Sequence, residues 1–447
     1  MTPSPLTGML AVLAMLGALT GALRLWQARR SPHPELVRKC LHVGMGLVTL
    51  TFPLFFAAAW PVVTLAALAV GAMFALRHVR QLRERLGSVL HAVERESSGE
   101  IYFPLAVAIV FVLAEGAPVH YVVPILLLTL ADATAALIGV RYGTVKFANF
   151  DGGIKSLEGA IAFFLVAFLC THVTLLLATD TGRAESLLIG VEIGVLVMLV
   201  ELVAWRGLDN LFIPLFSFAL LCGIEHMPAA ELASRLVVLA LLAGFVVGWR
   251  RRTTLDASAL VATVLIAHVL WSVGGLVWLL PPVLCFASYA LLWPLDRRHH
   301  GRIHDLRGVL SFSAVGLAWL LLSTRFPAED WSFLGTTAFA GQLAVVGRAA
   351  SDRGEVTRVR AATLARCALV GWVVPFLPYV LLHGADARTL QLAATALPAV
   401  VVTLLVFHLR WPRLRAAPYS MERWVTQAAA SATASLLALP AWRLLSP

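Results

Sequence analysis

The chain has 447 residues, of which 60% are hydrophobic and 13% are charged, and its mean hydropathy is +0.84. This composition excludes an ordinary soluble domain and is typical of a membrane protein that crosses the bilayer many times. The net charge of +10 would favour nucleic acid as a partner in a soluble protein. In a membrane protein, however, basic loops set the topology, so no nucleic-acid partner is expected.

Apolar runs long enough to cross a hydrocarbon core recur along the whole chain. They predict an all-α fold, a polytopic transmembrane helical bundle of about 14–16 spans. The predicted spans lie near 7–26, 40–59, 61–76, 100–114, 119–138, 157–179, 187–204, 211–223, 229–248, 257–271, 274–293, 308–323, 333–347, 361–382, 390–408 and 425–442. The five cysteines show no paired spacing, so neither a disulfide framework nor a zinc site is expected.

Basic residues fall on alternate loops, and this bias predicts the orientation in the membrane. The loop 27–39 and every second loop after it are basic, whereas the opposite loops hold little beyond Arg183, Arg325 and Arg388. We therefore expect a multi-pass protein, of the bacterial inner membrane, with 27–39 in the cytoplasm and both termini on the opposite side.

Polar residues gather in five segments of the first half of the chain. They are "VRKCLHVG" (37–44), "SSGEIYFPL" (97–105), "ADATAALIGVRYG" (131–143), "GGIKSLEGA" (152–160) and "ELVAWRGLDNLFIPLF" (201–216). The predicted topology places every one of these segments at the cytoplasmic end of a span or in a cytoplasmic loop. Because ionisable groups in a membrane are costly, this shared position indicates a functional site.

Asp132 lies inside a predicted span, where Ala131, Ala135 and Gly139 recur every fourth residue and let another helix approach closely. A carboxylate at that position can hold a metal ion or a hydroxyl group. An alternative is that Asp132 pairs with a basic residue for structural reasons.

Lys155 and Ser156 are expected at a helix N-terminus, where free N–H groups and the helix dipole favour an anion. Arg141 and Lys146 precede them in the loop as further candidates for phosphate contacts. Together with a carboxylate that can bind magnesium, these groups indicate a nucleoside triphosphate site. Lys155 could instead be a topological anchor, and "GGIKS" lacks the spacing of a P-loop.

The five segments in this order resemble the dolichol kinase and phytol kinase family of integral membrane lipid kinases, over residues 35–216. The resemblance implies a nucleotide-binding turn at Asp132, Gly139, Arg141 and Gly143. It also implies a phosphate-binding helix N-terminus at Lys155, Ser156, Glu158 and Gly159. It implies that Arg38, Lys39 and His42 line the same cavity, and that Glu100, Glu201, Asp209 and Asn210 complete a polar ring.

The resemblance also implies an activity: transfer of the γ-phosphate of CTP to an isoprenoid alcohol such as phytol, geranylgeraniol or a dolichol-type polyprenol. One branch of the family phosphorylates diacylglycerol instead. The expected partners are the membrane lipid alcohol and the nucleotide, with Mg²⁺ as cofactor held by Asp132. His42, Glu100 and Asp132 are alternative general bases for the hydroxyl.

The sequence suggests three segments: a first span with its basic loop (1–34), a catalytic membrane domain (35–226) and a second membrane domain (227–447). A partial internal repeat relates Gly99 and Gly139 to Gly308 and Gly347 by similar spacing. In that alignment Ala340 replaces Asp132, so the second domain is expected to be a degenerate copy.

Two other classes of protein share these features. A secondary transporter also has many helices, repeats and buried carboxylates, although its site usually lies at the bilayer midplane. A cytidylyltransferase that forms a CDP-activated lipid would also use a nucleotide and a metal, but its substrate already carries a phosphate.

Overall fold

The computed structural model describes residues 4–78, 98–148, 153–293, 304–327, 329–352, 360–417 and 419–445. Nearly all of these residues are helical, which confirms the all-α prediction. The chain divides into two compact units, Met1–Val237 and Val238–Pro447, which we call unit 1 and unit 2.

Unit 1 contains ten helices in its described part and the first portion of an eleventh. They are α1 (Pro5–Arg30), α2 (Pro34–Leu50), α3 (Phe52–Phe55), α4 (Trp60–His78), α5 (Gly99–Leu113), α6 (Pro118–Leu126), α7 (Asp132–Tyr142), α8 (Leu157–Ala178), α9 (Arg183–Val203), α10 (Asp209–Ile224) and α11 (Ala229–Trp249). A π-helical turn, Leu127–Ala131, joins α6 to α7. The core of the unit forms around Tyr121 and Phe163, which are almost fully buried.

Unit 2 begins within α11 and continues through six further helices in its described part. They are α12 (Ala257–Leu292), α13 (Leu306–Arg325), α14 (Ser332–Ala350), α15 (Ala361–His383), α16 (Ala387–Ala416) and α17 (Met421–Leu445). Its core forms around Phe333, Phe339 and Tyr379.

Ten helices of the described chain are long and apolar enough to cross a membrane, and α4, α5 and α10 are shorter apolar helices. The predicted spans 257–271 and 274–293 correspond to the two helical segments of α12, which meet at Gly275, where a φ of 70° and a ψ of −163° are not helical. The predicted span 40–59 is placed differently: the corresponding helix α2 begins at Pro34 and ends at Leu50.

A short β-hairpin interrupts the helices of unit 1, and the all-helical prediction did not include it. Strand β1 (Lys146–Ala148) pairs antiparallel with β2 (Ile154–Ser156), with Phe147 opposite Lys155. The hairpin leads directly into α8 and thereby fixes the position of Lys155.

The two units share an order of helix contacts. In unit 1, α5 packs on α6 and α10, and the successive helices α7, α8, α9 and α10 pack on one another. In unit 2, α13 packs on α14 and α17, and α14, α15, α16 and α17 pack on one another in turn. Gly139 and Gly347 each lie three residues before the end of α7 and α14. The internal repeat and the degenerate second copy stay predictions.

Candidate active site

Asp132 lies in a buried cluster with two side chains of α2. The Lys39 Nζ donates a hydrogen bond to Asp132 Oδ2 over 2.7 Å, and the His42 Nε2 lies 3.4 Å from the same oxygen. Lys39 is 4% exposed and Asp132 is 5% exposed. A carboxylate and an ammonium group buried together form a tight ion pair, and removal of either leaves an uncompensated charge.

The π-helical turn before Asp132 explains how His42 is held. The Asp132 N–H bonds to the Leu127 carbonyl, five residues earlier, so the Leu128 carbonyl lacks its usual helical donor. His42 Nε2 takes that place at 2.8 Å. Because a carbonyl can only accept, Nε2 carries the proton, and the neutral ring keeps its lone pair on Nδ1.

Lys155 forms the second ion pair of the site. Its Nζ donates to the Glu201 backbone carbonyl over 3.1 Å and also to Glu201 Oε1. The Lys155 side chain is 22% exposed and that of Glu201 is 7% exposed. Burial lowers the pKa of Lys155, but the charges of Glu201, Asp209 and Asp132 raise it more, so its pKa lies above the ordinary lysine value.

A tight turn brings Asp209 to the same region as Glu201. The chain reverses between α9 and α10 through Arg206 and Gly207, which have φ values of 51° and 83°. Glycine tolerates this left-handed conformation readily, and a side chain such as that of Arg206 adopts it rarely. The Asp209 Oδ1 accepts the backbone N–H of Asn210 over 3.0 Å.

Small residues allow α7 and α8 to approach closely, as the spacing of Ala131, Ala135 and Gly139 predicted. A Cβ added at Gly159 would lie 2.8 Å from the Ala135 carbonyl oxygen. One added at Gly143 would overlap the Gly139 carbonyl oxygen and lie 2.8 Å from the Ser156 Cβ. These glycines hold the helix of Asp132 against the helix that follows Lys155.

Ser156 and Glu158 have identifiable structural roles at the start of α8. Ser156 is the N-cap of α8, since its Oγ accepts the Gly159 N–H over 3.1 Å. Glu158 Oε1 accepts the backbone N–H groups of Thr144 and Val145 over 3.0 and 3.2 Å, and the Thr144 hydroxyl as well. Ser156 therefore caps α8, and Glu158 anchors the loop between α7 and the hairpin to that helix.

Three basic candidates lie outside the buried cluster. Arg38 is half exposed and bonds Glu35 on its own helix over 3.0 Å. Arg141 is exposed and stacks on the Tyr142 ring, with its Cζ 5.3 Å from the ring centroid. Lys146 is exposed on β1. Contacts of these residues with a nucleotide stay predictions.

Glu100 lies in the first turn of α5, and the structure places that turn beside the cluster. Phe103, one turn further along the helix, packs edge-on against His42 with ring centroids 5.3 Å apart. The backbone N–H of Ser98 bonds to the Arg206 carbonyl over 3.1 Å. The start of α5 is thus tied both to α2 and to the turn before Asp209.

The described residues contain no group of three or more His, Cys, Asp or Glu side chains that could hold a metal ion. Asp132, the predicted magnesium ligand, is engaged by Lys39 and His42. Asp209 accepts a backbone N–H and approaches Lys155 closely enough to raise its pKa. Magnesium commonly uses one or two protein carboxylates and completes its shell with phosphate and water, and the role of Asp132 as a magnesium ligand stays a prediction.

The chain is similar to a phytol kinase. The curated phytol kinase of Synechocystis sp. (strain ATCC 27184 / PCC 6803 / Kazusa) is 29% identical over 206 residues, which cover 45% of this chain and 84% of that protein. No family model and no solved structure matches the chain. The similarity supports a relationship to a kinase family for less than half of the chain.

Sequence reasoning missed the partners that the structure gives to its two main candidates. It placed Lys39 and Glu201 among the lining residues but paired neither with Asp132 or Lys155. It also missed the Leu128 carbonyl, whose availability depends on the π-helical turn. Pro124, which lies inside α6 and lacks an N–H, was the available signal of irregular helix geometry.

Proposed function

We propose that unit 1 is a membrane lipid kinase that transfers the γ-phosphate of CTP to the hydroxyl group of an isoprenoid alcohol. The observation that carries this proposal is the pair of neighbouring lysine–carboxylate contacts, Lys39 with Asp132 and Lys155 with Glu201. The similarity to a phytol kinase supports both the reaction type and the class of acceptor.

Phosphoryl transfer mainly requires positioning and neutralisation of charge, and lysine ammonium groups supply both. Phosphate oxygens of a bound nucleotide compete with Asp132 and Glu201 for the two lysines. Lys155 is protonated throughout the neutral range, because its pKa is raised above the ordinary lysine value. The hairpin and the capped start of α8 hold it in place.

In the proposed reaction the hydroxyl oxygen of the alcohol attacks the γ-phosphorus, and the bond from that phosphorus to the β–γ bridging oxygen breaks. CDP leaves, and the hydroxyl proton passes to a base. We favour Asp132 as that base over His42, because the His42 Nε2 proton is directed at Leu128 and its ring is packed against Phe103. Release of Lys39 to the phosphate raises the basicity of Asp132.

Magnesium bound with the nucleotide would be held by Asp209, which leaves Asp132 to accept the hydroxyl proton. The ion neutralises phosphate charge that the two lysines do not cover. The basic loops favour a cytoplasmic position for this end of unit 1, where nucleotide is available and a lipid hydroxyl lies at headgroup level.

The test uses the full chain in detergent with labelled nucleotide and a panel of acceptors: phytol, geranylgeraniol, a long polyprenol and diacylglycerol. We expect phosphate transfer to an isoprenoid alcohol, and loss of nearly all turnover in Asp132→Asn and in Lys155→Ala. Transfer to diacylglycerol alone would show that the acceptor is diacylglycerol and not an isoprenoid alcohol.

Glu192→Gln provides a matched control for Asp132→Asn. Glu192 and Arg235 form a buried pair over 2.8 Å in the same unit, but Glu192 lies nine residues before Glu201 on α9, which is about 14 Å along the helix. The control shares the loss of a buried charge and leaves the site intact. If it lost turnover as fully as Asp132→Asn does, the site assignment would fail.

A further inference from the structure

Unit 2 contains a large cavity that the proposed kinase reaction does not use. Its volume is about 1090 Å³, just above the usual range for small-molecule sites. Its lining joins two chemically different surfaces: a polar end formed by helix termini and the loops between them, and an apolar end inside the helix bundle.

Three arginines line the polar end: Arg366 near the start of α15, Arg415 at the end of α16 and Arg423 at the start of α17. Arg423 is 8% exposed, and its Cζ lies 4.9 Å from the Trp424 ring centroid and 5.7 Å from that of Trp411. Stacking on aromatic rings fixes the position and orientation of a guanidinium group in the cavity wall.

Two further residues limit which ligands suit this end. Asp352 is the carboxylate of the cavity lining, and it is engaged by Arg415 at 3.6 Å and by the Trp411 Nε1 at 2.6 Å. Burial and the charge of Arg423 lower the pKa of His304 to about 4, so this histidine is neutral at pH 7. The polar end therefore carries net positive charge from its arginines.

The apolar end is deep enough for a long hydrocarbon chain. Ile266 and Leu270 line the cavity nine and thirteen residues beyond Ala257, the first residue of α12, which corresponds to depths of about 14 and 20 Å. Phe245, Phe286 and Phe312 are among the residues that form its walls. A free phosphate ion or a nucleotide would leave this apolar depth without a partner.

Helices α9 and α10 of unit 1, and α16 and α17 of unit 2, are each two successive helices that pack on one another. At the end of the first helix and the start of the second, unit 1 carries the carboxylates Glu201 and Asp209, whereas unit 2 carries Arg415 and Arg423. Carboxylates suit a metal–nucleotide complex, and arginines suit a phosphate without a metal.

We propose that the unit 2 cavity binds the phosphate monoester of a single-chain lipid alcohol, with its phosphate on the arginines and its chain in the apolar end. The identity of this ligand as the product class of unit 1 rests on the proposed function. The binding site itself rests on the cavity, its arginines and its depth.

The test measures binding of phytyl monophosphate to the full chain in detergent by quenching of tryptophan fluorescence, because Trp293, Trp411 and Trp424 line the cavity. Phytol, inorganic phosphate and CTP are the comparison ligands. Arg366→Gln removes an exposed arginine at little risk to folding, and Arg423→Gln removes a buried one. Each loss should weaken binding of the monoester at least about tenfold.

Arg388→Gln, at an exposed position outside the cavity lining, should leave the affinity unchanged. Asp132→Asn should also bind the monoester normally. Because this variant is expected to lack turnover, normal binding would support a ligand site in the unit 2 cavity even if the proposed kinase reaction is wrong. Binding that is lost in Asp132→Asn but kept in both cavity variants would overturn the proposal. Equal affinity for phytol or for CTP would overturn it as well.

Discussion

The ion pair between Lys39 and Asp132 makes a quantitative prediction about stability. With an effective dielectric constant of about 20, two unit charges at the observed separation of 2.7 Å attract each other by about 6 kcal/mol before desolvation is counted. Because both groups are buried, Asp132→Asn should leave Lys39 uncompensated and cost about 3–5 kcal/mol of unfolding free energy. Lys39→Met should cost a similar amount.

The double variant distinguishes this reasoning from two unrelated losses of packing. With both charges removed no uncompensated charge is left, so its cost should be smaller than the sum of the single costs by at least about 2 kcal/mol. The assay is reversible unfolding of the purified chain in mixed detergent micelles. Arg38→Met is the control, because its pair with Glu35 is partly exposed and is expected to contribute about 0–1 kcal/mol.

The account of the ion pair would be refuted by additive costs, within about 0.5 kcal/mol, for the two single variants and the double variant. A cost for Arg38→Met as large as that for Lys39→Met would also contradict it, because burial would then not be the deciding factor.

Two further predictions concern the contact between α7 and α8 and the charge of Lys155. Gly143→Ala should lower the free energy of unfolding by about 1–3 kcal/mol and should also reduce turnover, because the new methyl group overlaps the Gly139 carbonyl. Gly17→Ala is the control and should change neither, because nothing lies within 4 Å of the added Cβ. Equal effects of the two substitutions in thermal unfolding would contradict the prediction. The pKa of Lys155 is raised in the folded chain, so its stabilising contribution is fully present below the ordinary lysine value and is lost only as pH rises through the higher folded value. The stability difference between the wild type and Lys155→Met should therefore be constant from about pH 7 to 10 and shrink above that range; a difference that stays constant above pH 10 as well would show that the pKa is not raised.

Much of the fold followed from the sequence because a membrane imposes a length and a composition on every span. The sequence also predicted the division of 257–293 into two helical segments, which the structure separates at Gly275 by a non-helical conformation that glycine adopts readily. The β-hairpin was missed because its strands have only three residues each and carry no alternating pattern.

The candidate site was predictable in its membership but not in its pairing. Intramembrane charge identified Asp132, and a helix start preceded by glycines identified Lys155. The partner of each depends on which helices cross, which is a tertiary property. The link between His42 and Leu128 depends on a helix irregularity of five residues, and such irregularities depend on packing more than on local sequence.

The most direct test of the central claim compares CTP labelled on its γ-phosphate with CTP labelled on its α-phosphate, each incubated with the full chain and phytol. The proposed kinase transfers the γ-label to the lipid and leaves the α-label in CDP. Label from the α-phosphate in the lipid would show transfer of the cytidylyl group, and no label from either nucleotide in any isoprenoid alcohol would contradict the proposed reaction.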